Sequence, residues 1–500
     1  MHPSQLSASI EAPKLGQDTG LQTKLAIATK QTSHFSEQKQ RQRNALIEEP
    51  LASAIPNSSR LLNLPLLTLV PPLSTCRVSV IIPARNEAEN LPAVIGALAC
   101  QVDDRGRRLD PDLYEVLILA NNCTDSTVGV AERLSDRYPF LQLQTIDVAL
   151  PQEVAFVGKA RQMAMDEAYR RLSLAGLDRR IIASTDGDTQ VASNWIHSLL
   201  AEFHKGIDAV GGRIITRRAD QPEISARASL YYLRRVAHAY LSSQIECLID
   251  PQTHDCWPRH FQFCGANMAV SAQIYAQVGG MPLVRDEEDV ALYRRLQQTD
   301  AKIRHSLNVR VSTSARQVGR ATGGLSELLT ALSDKTQQAA LVESPVLTEA
   351  RMVMRKGLRQ VWAVLQGSSS SGDGNSLKNR TCSFNVRDYA KTTELLARSL
   401  GVPVFKLRSH IENAVTFGAL VTALFGQQLE HLPPDLFEST TEISLANMHL
   451  RQRLNGVRQQ AASVEKLTAT SEQLQLGSSS QVILKALQQV QAIPLFPPAY

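Results

Sequence analysis

Two aspartates one residue apart, Asp186-Gly187-Asp188, stand where the apolar run Ile181-Ile182-Ala183-Ser184-Thr185 stops. Carboxylates separated by a glycine can both face one hard divalent cation while the backbone turns tightly between them. Oxygen ligands of this kind suit magnesium or manganese, so Asp186 and Asp188 are the candidate ligands of Mg2+ or Mn2+. Taken alone, the tripeptide equally fits a strand-end turn with two solvated aspartates, and its neighbours decide between the two.

Other groups along the chain can meet an anion or a proton. Gly158-Lys159-Ala160-Arg161 opens a helical stretch, whose first amides offer donors to an anion, although a Lys and an Arg on a helix are more often a solvated face. Arg316 and Arg320 lie in a polar run that follows Val311. They can neutralise a diphosphate or another anion, or they are two surface arginines in a loop. Asp286-Glu287-Glu288-Asp289 precedes an amphipathic helix begun by Leu292 and Leu296, where acidic side chains cap free amides and complement the dipole. His254, Cys256, His260 and Cys264 crowd together without a recognised zinc spacing, which favours a mobile loop over a metal site.

These residues need a scaffold, and the hydrophobic pattern supplies one. Val78-Ser79-Val80-Ile81-Ile82-Pro83, residues 114–120 and residues 181–185 read as buried strands. Between them, residues 87–98 and 160–174 carry apolar side chains at helical spacing, with Asn86 and Glu89 placed as an N-cap pair for the first helix. Strand, helix, strand, helix, strand implies a sheet with parallel strands and crossover helices, and ligands gather beyond the carboxyl ends of such strands. All three strands end in polar residues: Arg85-Asn86-Glu87, Asn122-Cys123-Thr124-Asp125 and Asp186-Gly187-Asp188.

The chain has 500 residues, more than one core usually needs. Composition divides it into an N-terminal arm over residues 1–75 predicted to be disordered, an α/β domain over 76–332, a helical extension over 333–366, a Gly/Ser linker over 367–376 and a helical region over 377–500. Fifty-three basic against 48 acidic residues give a net charge of +5, too balanced for a nucleic-acid footprint. Seven cysteines without repeat spacing fit a reducing compartment, and no secretory signal is evident, which makes the cytoplasm the default location. The apolar stretches 61–73 and 414–425 are too short to span a bilayer, leaving peripheral membrane contact open.

In order and spacing, Pro83-Ala84-Arg85-Asn86-Glu87, the loop from Asn122 to Asp125, and Asp186-Gly187-Asp188 resemble the inverting family-two glycosyltransferases of the GT-A fold. The resemblance runs over about half the chain, up to residue 329. It implies a Rossmann-like mixed sheet with flanking helices and a nucleoside diphosphate-sugar donor. Pro83, Arg85 and Glu87 would line the nucleotide pocket, with Lys159 near the phosphates and Asp186 on the donor. The second loop would contact the base through Asn122, where the family usually has an acidic residue, while Asp125 keeps the later acidic position. Gly265 and Asn267 would lie on the acceptor side, and Glu288-Asp289 would be the catalytic acidic pair, with Asp289 as general base toward an acceptor hydroxyl. A scaffold that binds a nucleotide-sugar without turnover and a nucleotidyltransferase are the rival readings. The latter calls for a Gly-rich basic loop after the first strand, which Pro83-Ala84-Arg85-Asn86-Glu87 is not.

Overall fold

Val78–Ala84 and Tyr114–Asn121 are buried at every position, as befits strands covered by helices on both sides. In the computed structural model they are β1 and β2. They are followed by β3 (Gln142–Val148), β4 (Ile181–Thr185), β5 (Gln190–Val191), β6 (Ala209–Thr216), β7 (Asn267–Ser271) and β8 (Ile303–Thr313). The helices of this part are α1 (Leu91–Ala99), α2 (Thr127–Arg137), α3 (Val157–Leu174), α4 (Trp195–His204), α5 (Ala226–Ile249), α6 (Ala272–Gln277) and α7 (Glu288–Gln298). Beyond them come α8 (Leu325–Ser333), α9 (Pro345–Ser369), α10 (Val386–Ser399), α11 (Val404–Asn413), α12 (Phe417–His431) and α13 (Ile443–Thr470), with two short strands, β9 (Leu341–Glu343) and β10 (Thr440–Glu442). The structure describes residues 61, 67–68, 70–176, 180–217, 225–316, 325–333, 341–369, 386–431 and 440–470.

The strands β1 to β8 form one sheet in the order β3-β2-β1-β4-β7-β6-β8-β5. Neighbours from β3 to β4 are parallel, β7 runs antiparallel to both β4 and β6, β6 and β8 are parallel, and β5 closes antiparallel on β8. The sheet is therefore mixed, and the three strands legible in the sequence lie in its parallel half, which β3 completes at the edge. Side chains alternate between two cores, as the period of a strand requires. Ile81, Leu117 and Ile182 face Ala164, Met165 and Ala168 of α3. Val80, Ile82 and Val116 face Leu91 and Ile95 of α1 together with Trp195 and Leu199 of α4.

The first helix starts at Leu91, four residues later than the periodicity suggests. Asn86 is in the left-handed region at φ 57°, so it does not cap that helix, and Glu87 to Asn90 make a turn that hands Leu91 N–H to the Glu87 carbonyl at 3.0 Å. The N-terminal arm also ends earlier than its composition suggests. Leu61 is buried in the core, and Thr68 donates to Glu167 Oε1 at 2.6 Å and accepts from Arg171 Nη1 at 2.6 Å. Residues 1–60, 62–66 and 69 of the predicted arm lie outside the described residues.

The C-terminal helices build a core of their own from Leu358, Val361, Leu396, Leu407, Ile411 and Leu420. Leu450 and Leu454 of α13 pack on Leu241 and Ile245 of α5. The helical periodicity of this region conceals an antiparallel pair, in which Glu343 of β9 faces Thr440 of β10. The described part of α9 runs to Ser369, into the start of the predicted linker, and residues 370–385 and 471–500 lie outside the described residues. Among the described residues no helix is long and apolar enough to cross a membrane.

Candidate active site

The carboxyl ends of β1, β2 and β4 converge with the first turn of α7, and each brings one of the polar loops. Asn86, after β1, turns its Oδ1 to the Thr124 N–H at 2.7 Å and the Asp125 N–H at 3.4 Å. Asp125 returns the contact, accepting from the Ala88 N–H at 3.2 Å, while Thr127 Oγ1 accepts from the Glu87 N–H at 2.8 Å. The two loops thus hold each other through residues about 40 apart in the chain. Asn86 and Asn122 can make this crossing because both are asparagines in the left-handed region, at φ 57° and 51°, where short amide side chains are tolerated.

Asn122, predicted to read a base, has both ends of its amide on one backbone residue. Its Nδ2 donates to the Leu150 carbonyl and its Oδ1 accepts from the Leu150 N–H, each at 2.8 Å. The side chain fastens the β3–α3 connection to the end of β2, and Asp125 serves the neighbouring loop in the same way. Pro83 is buried in β1, whereas Arg85 is exposed and donates to the Ala155 carbonyl at 3.2 Å.

Beyond β4, Asp186 and Asp188 meet two arginines. Arg316 Nη2 lies 3.0 Å from Asp188 Oδ2 and 2.9 Å from Glu87 Oε1. Gly187 is required here for space, since a Cβ would stand 2.8 Å from Glu87 Cγ. Asp188 is largely buried, and its carboxyl is pushed up to about 6. Burial contributes most, the charge of Asp186 adds to it, Arg316 opposes it and Glu87 adds further. Thr189 Oγ1, bonded to Thr313 Oγ1 at 2.8 Å, fixes this loop to the end of β8. Arg320 lies outside the described residues.

Arg161 joins the two halves of the site. Buried at 3% exposure, it places Nη2 at 2.6 Å from Asp186 Oδ1, Nε at 3.2 Å from Ser184 Oγ, and Nη1 on Glu288. Lys159, the basic residue favoured by the sequence, turns its ammonium instead to Gln162 Oε1 at 3.1 Å. The signal for Arg161 was available in the pattern. It shares the buried face of α3 with Gly158, Ala164, Met165 and Ala168, and an arginine on an apolar face needs a partner.

Asp289, next to Glu288, accepts from the Gly265 N–H at 2.9 Å through Oδ2 and from the Val290 N–H at 2.7 Å through Oδ1. Gly265 fits where a Cβ would meet the Arg161 guanidinium carbon at 2.3 Å, and its carbonyl accepts from Ser184 Oγ at 2.7 Å. Asn267 does not belong on the acceptor side. It is fully buried, accepts from Trp195 Nε1 at 2.9 Å and donates to the Arg213 and Val309 carbonyls at 3.1 Å each, which makes it a brace across β6, β7 and β8. Of the His/Cys group, His260 is buried against the Ser306 carbonyl at 3.0 Å, while burial, Asp289 and Asp186 push the Cys264 thiol up to about 12. Among the described residues no group of three or more His, Cys, Asp or Glu could hold a metal ion.

Residues 79–264 match the family described as Glycosyl transferase family 2. The glycosyltransferase AglE of Haloferax volcanii is 28% identical over 138 residues, which cover 27% of this chain and 39% of the relative's length. Among solved structures, the mannosyltransferase PcManGT from Pyrobaculum calidifontis, in complex with GDP-Man and Mn2+, is similar at 16% identity over 79% of this chain and 92% of that one, with a TM-score of 0.33. TarS of S. aureus in complex with UDP is similar at 12% identity over 71% of this chain and 91% of that one, with a TM-score of 0.35. Glu288 and Asp289 lie beyond the matched stretch, on a helix that Arg161 ties back to it. With its loops gathered at the carboxyl ends of the parallel strands, the stretch over residues 79–264 is similar to the glycosyltransferases of family two.

Proposed function

We propose that this protein transfers a sugar from a nucleoside diphosphate-sugar to an acceptor hydroxyl with inversion at the anomeric carbon. The observation that carries the reading is the Arg161 bridge, which brings Asp186 from the end of β4 and the Glu288-Asp289 pair from α7 into one cluster. Asp186, on the donor side in this reading, and Glu288, on the acceptor side, then share one guanidinium. A single displacement needs this layout. The acceptor oxygen forms its bond to the anomeric carbon as the bond to the diphosphate breaks, the proton goes to Asp289, and the nucleoside diphosphate leaves with the electron pair.

Asp186 and Asp188 would hold Mg2+ or Mn2+ together with phosphate oxygens of the donor. The fit rests on the donor set, two carboxylates one residue apart that now face the guanidinium groups of Arg161 and Arg316, positions that a cation and the donor's phosphates would share. When bound, such an ion offsets charge on the departing diphosphate. Arg316 now neutralises Glu87 and Asp188, and it is placed to exchange them for a phosphate. Arg85, just after β1, would line the nucleotide pocket, and Lys159, in the first turn of α3, would lie near the donor's phosphates. Gly265 holds Asp289 by its amide, and its lack of a side chain is what lets the Arg161 guanidinium pass beside it.

The test is a panel of nucleotide-sugars incubated with the purified chain and Mg2+ or Mn2+. Transfer to an acceptor, or hydrolysis of the donor releasing free nucleoside diphosphate, supports the reading. Release of pyrophosphate would make the protein a nucleotidyltransferase, and donor binding with neither product would make it a scaffold. Chelation is expected to abolish turnover and weaken donor binding, and Asp188→Ala to do the same with metal present. Tight donor binding in excess chelator, unchanged by the substitution, would remove the metal from the proposal.

A further inference from the structure

Besides the packing of α13 on α5, the C-terminal helices touch the rest of the molecule at two places that lead to the same hydrogen bond. The first is the far end of α7. Asp300, in the left-handed region at φ 55°, accepts from the Phe417 N–H at 2.7 Å and the Gly418 N–H at 2.8 Å. It thereby caps α12 from outside that helix. Thr416 Oγ1 donates to the Gln298 carbonyl, and the approach is so close that a Cβ on Gly418 would stand 1.8 Å from the Gln297 carbonyl oxygen. At its other end α7 has no side-chain cap. It begins from Glu287 in the left-handed region, and its first turn carries Glu288 and Asp289.

The second place is the end of α5. Arg355 of α9 reaches Asp250 Oδ2 at 2.9 Å and Glu246 Oε1 at 2.6 Å, and Arg359 reaches Asp250 Oδ1 at 3.2 Å. Glu246 also binds Arg259, which binds Asp255. Asp255 accepts from the His305 N–H at 2.9 Å. These residues open the segment that runs to Gly265, whose N–H is bonded to Asp289. One partner of that bond is therefore anchored through Asp300, and the other through Arg355.

We propose that the C-terminal helices are a positioning part of the catalytic unit, holding α7 through Asp300 and the segment before Gly265 through Arg355 so that Gly265 and Asp289 meet. The consequence for rate rests on the proposed transfer reaction, whereas the positioning itself does not. Asp300→Gly removes the carboxylate while keeping a residue that accepts the left-handed backbone, and Asp300→Asn keeps one acceptor for the two amides. Arg355→Gln cuts the second anchor.

The measurement is amide hydrogen exchange on the full-length chain, comparing the first turn of α7 with its last turn. Asp300→Gly is expected to speed exchange in the first turn, ten residues away, by about tenfold or more, Asp300→Asn by less, and Arg355→Gln to speed exchange over residues 256–265. Faster exchange confined to residues 296–300 and the start of α12, with the first turn at its normal rate, would overturn the proposal. So would wild-type exchange over 256–265 in Arg355→Gln. Where transfer is measured, Asp300→Gly is expected to lower kcat by about tenfold with unchanged donor affinity, because a small displacement of a reacting group suffices for that loss. A chain inactive with every donor would sink the transferase reading, while the exchange pattern would still decide the role of the C-terminal helices.

Discussion

Asp289 holds two backbone N–H groups with its two oxygens, a geometry that sets what its amide variant can do. An asparagine accepts one of these bonds and turns an N–H toward the other donor, so Asp289→Asn should cost about 1 kcal/mol of stability. Base catalysis demands far more of the same substitution, a rate loss of roughly a hundredfold to ten-thousandfold. Turnover measured beside a thermal melt separates the two, and retained turnover would shift the base to another group. Arg161 supports a second prediction. Removing one partner of a buried ion pair strands the other charge, so Arg161→Met should destabilise the fold by about 3 kcal/mol. Adding Glu288→Gln to that variant should recover part of the loss, since it removes the stranded charge. Denaturant titrations in which the double variant is no more stable than the single one would show that the pair does not act as a unit.

Among the elements, α3 connects most of the others. Its buried face holds Arg161 toward the site, Arg170 on Glu167 at 2.5 Å, and Arg171 on Glu115 of β2 at 2.6 Å. The N-terminal segment completes this second cluster through Thr68, which bonds Glu167 and Arg171 at once. In the apolar stretch that begins at Leu61, Leu61 enters the core of the sheet and Leu67 packs against it, so the described part of the stretch acts as a strap. Thr68→Val keeps its shape and removes both bonds, and should cost about 1 to 2 kcal/mol. A melting temperature indistinguishable from the wild type would show that the strap is held by its leucines alone.

For the whole molecule, the polar layer beneath the α5 end makes stability depend on pH. His260 is neutral by construction, as its Nδ1 accepts from the Gln262 N–H at 2.9 Å and its Nε2 faces the Ser306 carbonyl at 3.0 Å. Burial first, and the neighbouring His305 second, lower its pKa to about 4. Above the unfolded value of about 6.5 both states are neutral and the residue costs nothing. As the pH falls from there to about 4, the unfolded chain takes up a proton that the folded one refuses, so stability falls by roughly 3 kcal/mol. Asp255 adds to acid sensitivity lower down. Burial alone would raise its pKa, but the hydrogen bond and charge of His305, with Arg259, hold it well below the carboxylate range, and that contribution is lost only as the pH falls through the folded value. Denaturation midpoints measured between pH 7 and 4 should fall steadily in the wild type and more shallowly in His260→Gln. Parallel slopes would place the sensitivity elsewhere.

The sequence by itself determined three of the four parallel strands and the position of their polar loops, because a strand buried on both faces is a nearly continuous apolar run whose end is marked by polar residues, whereas the half-exposed β3 alternates and was missed. Asp186-Gly187-Asp188 was legible for the same reason, its spacing being local. The partners of those residues were not. Arg161 meets Glu288, 127 residues away, and Asp300 meets Gly418, 118 residues away, and nothing within either segment specifies the other. Asn267 matched a motif for the acceptor side, yet burial against Trp195, Arg213 and Val309 made it a brace. Asn86 carried a helix-cap signature, and the loop after β2 took its side chain instead. A local pattern specifies which groups must be buried or exposed, whereas the pairing of charged and amide groups follows from which surfaces the folded chain presses together, and only the tertiary structure decided that.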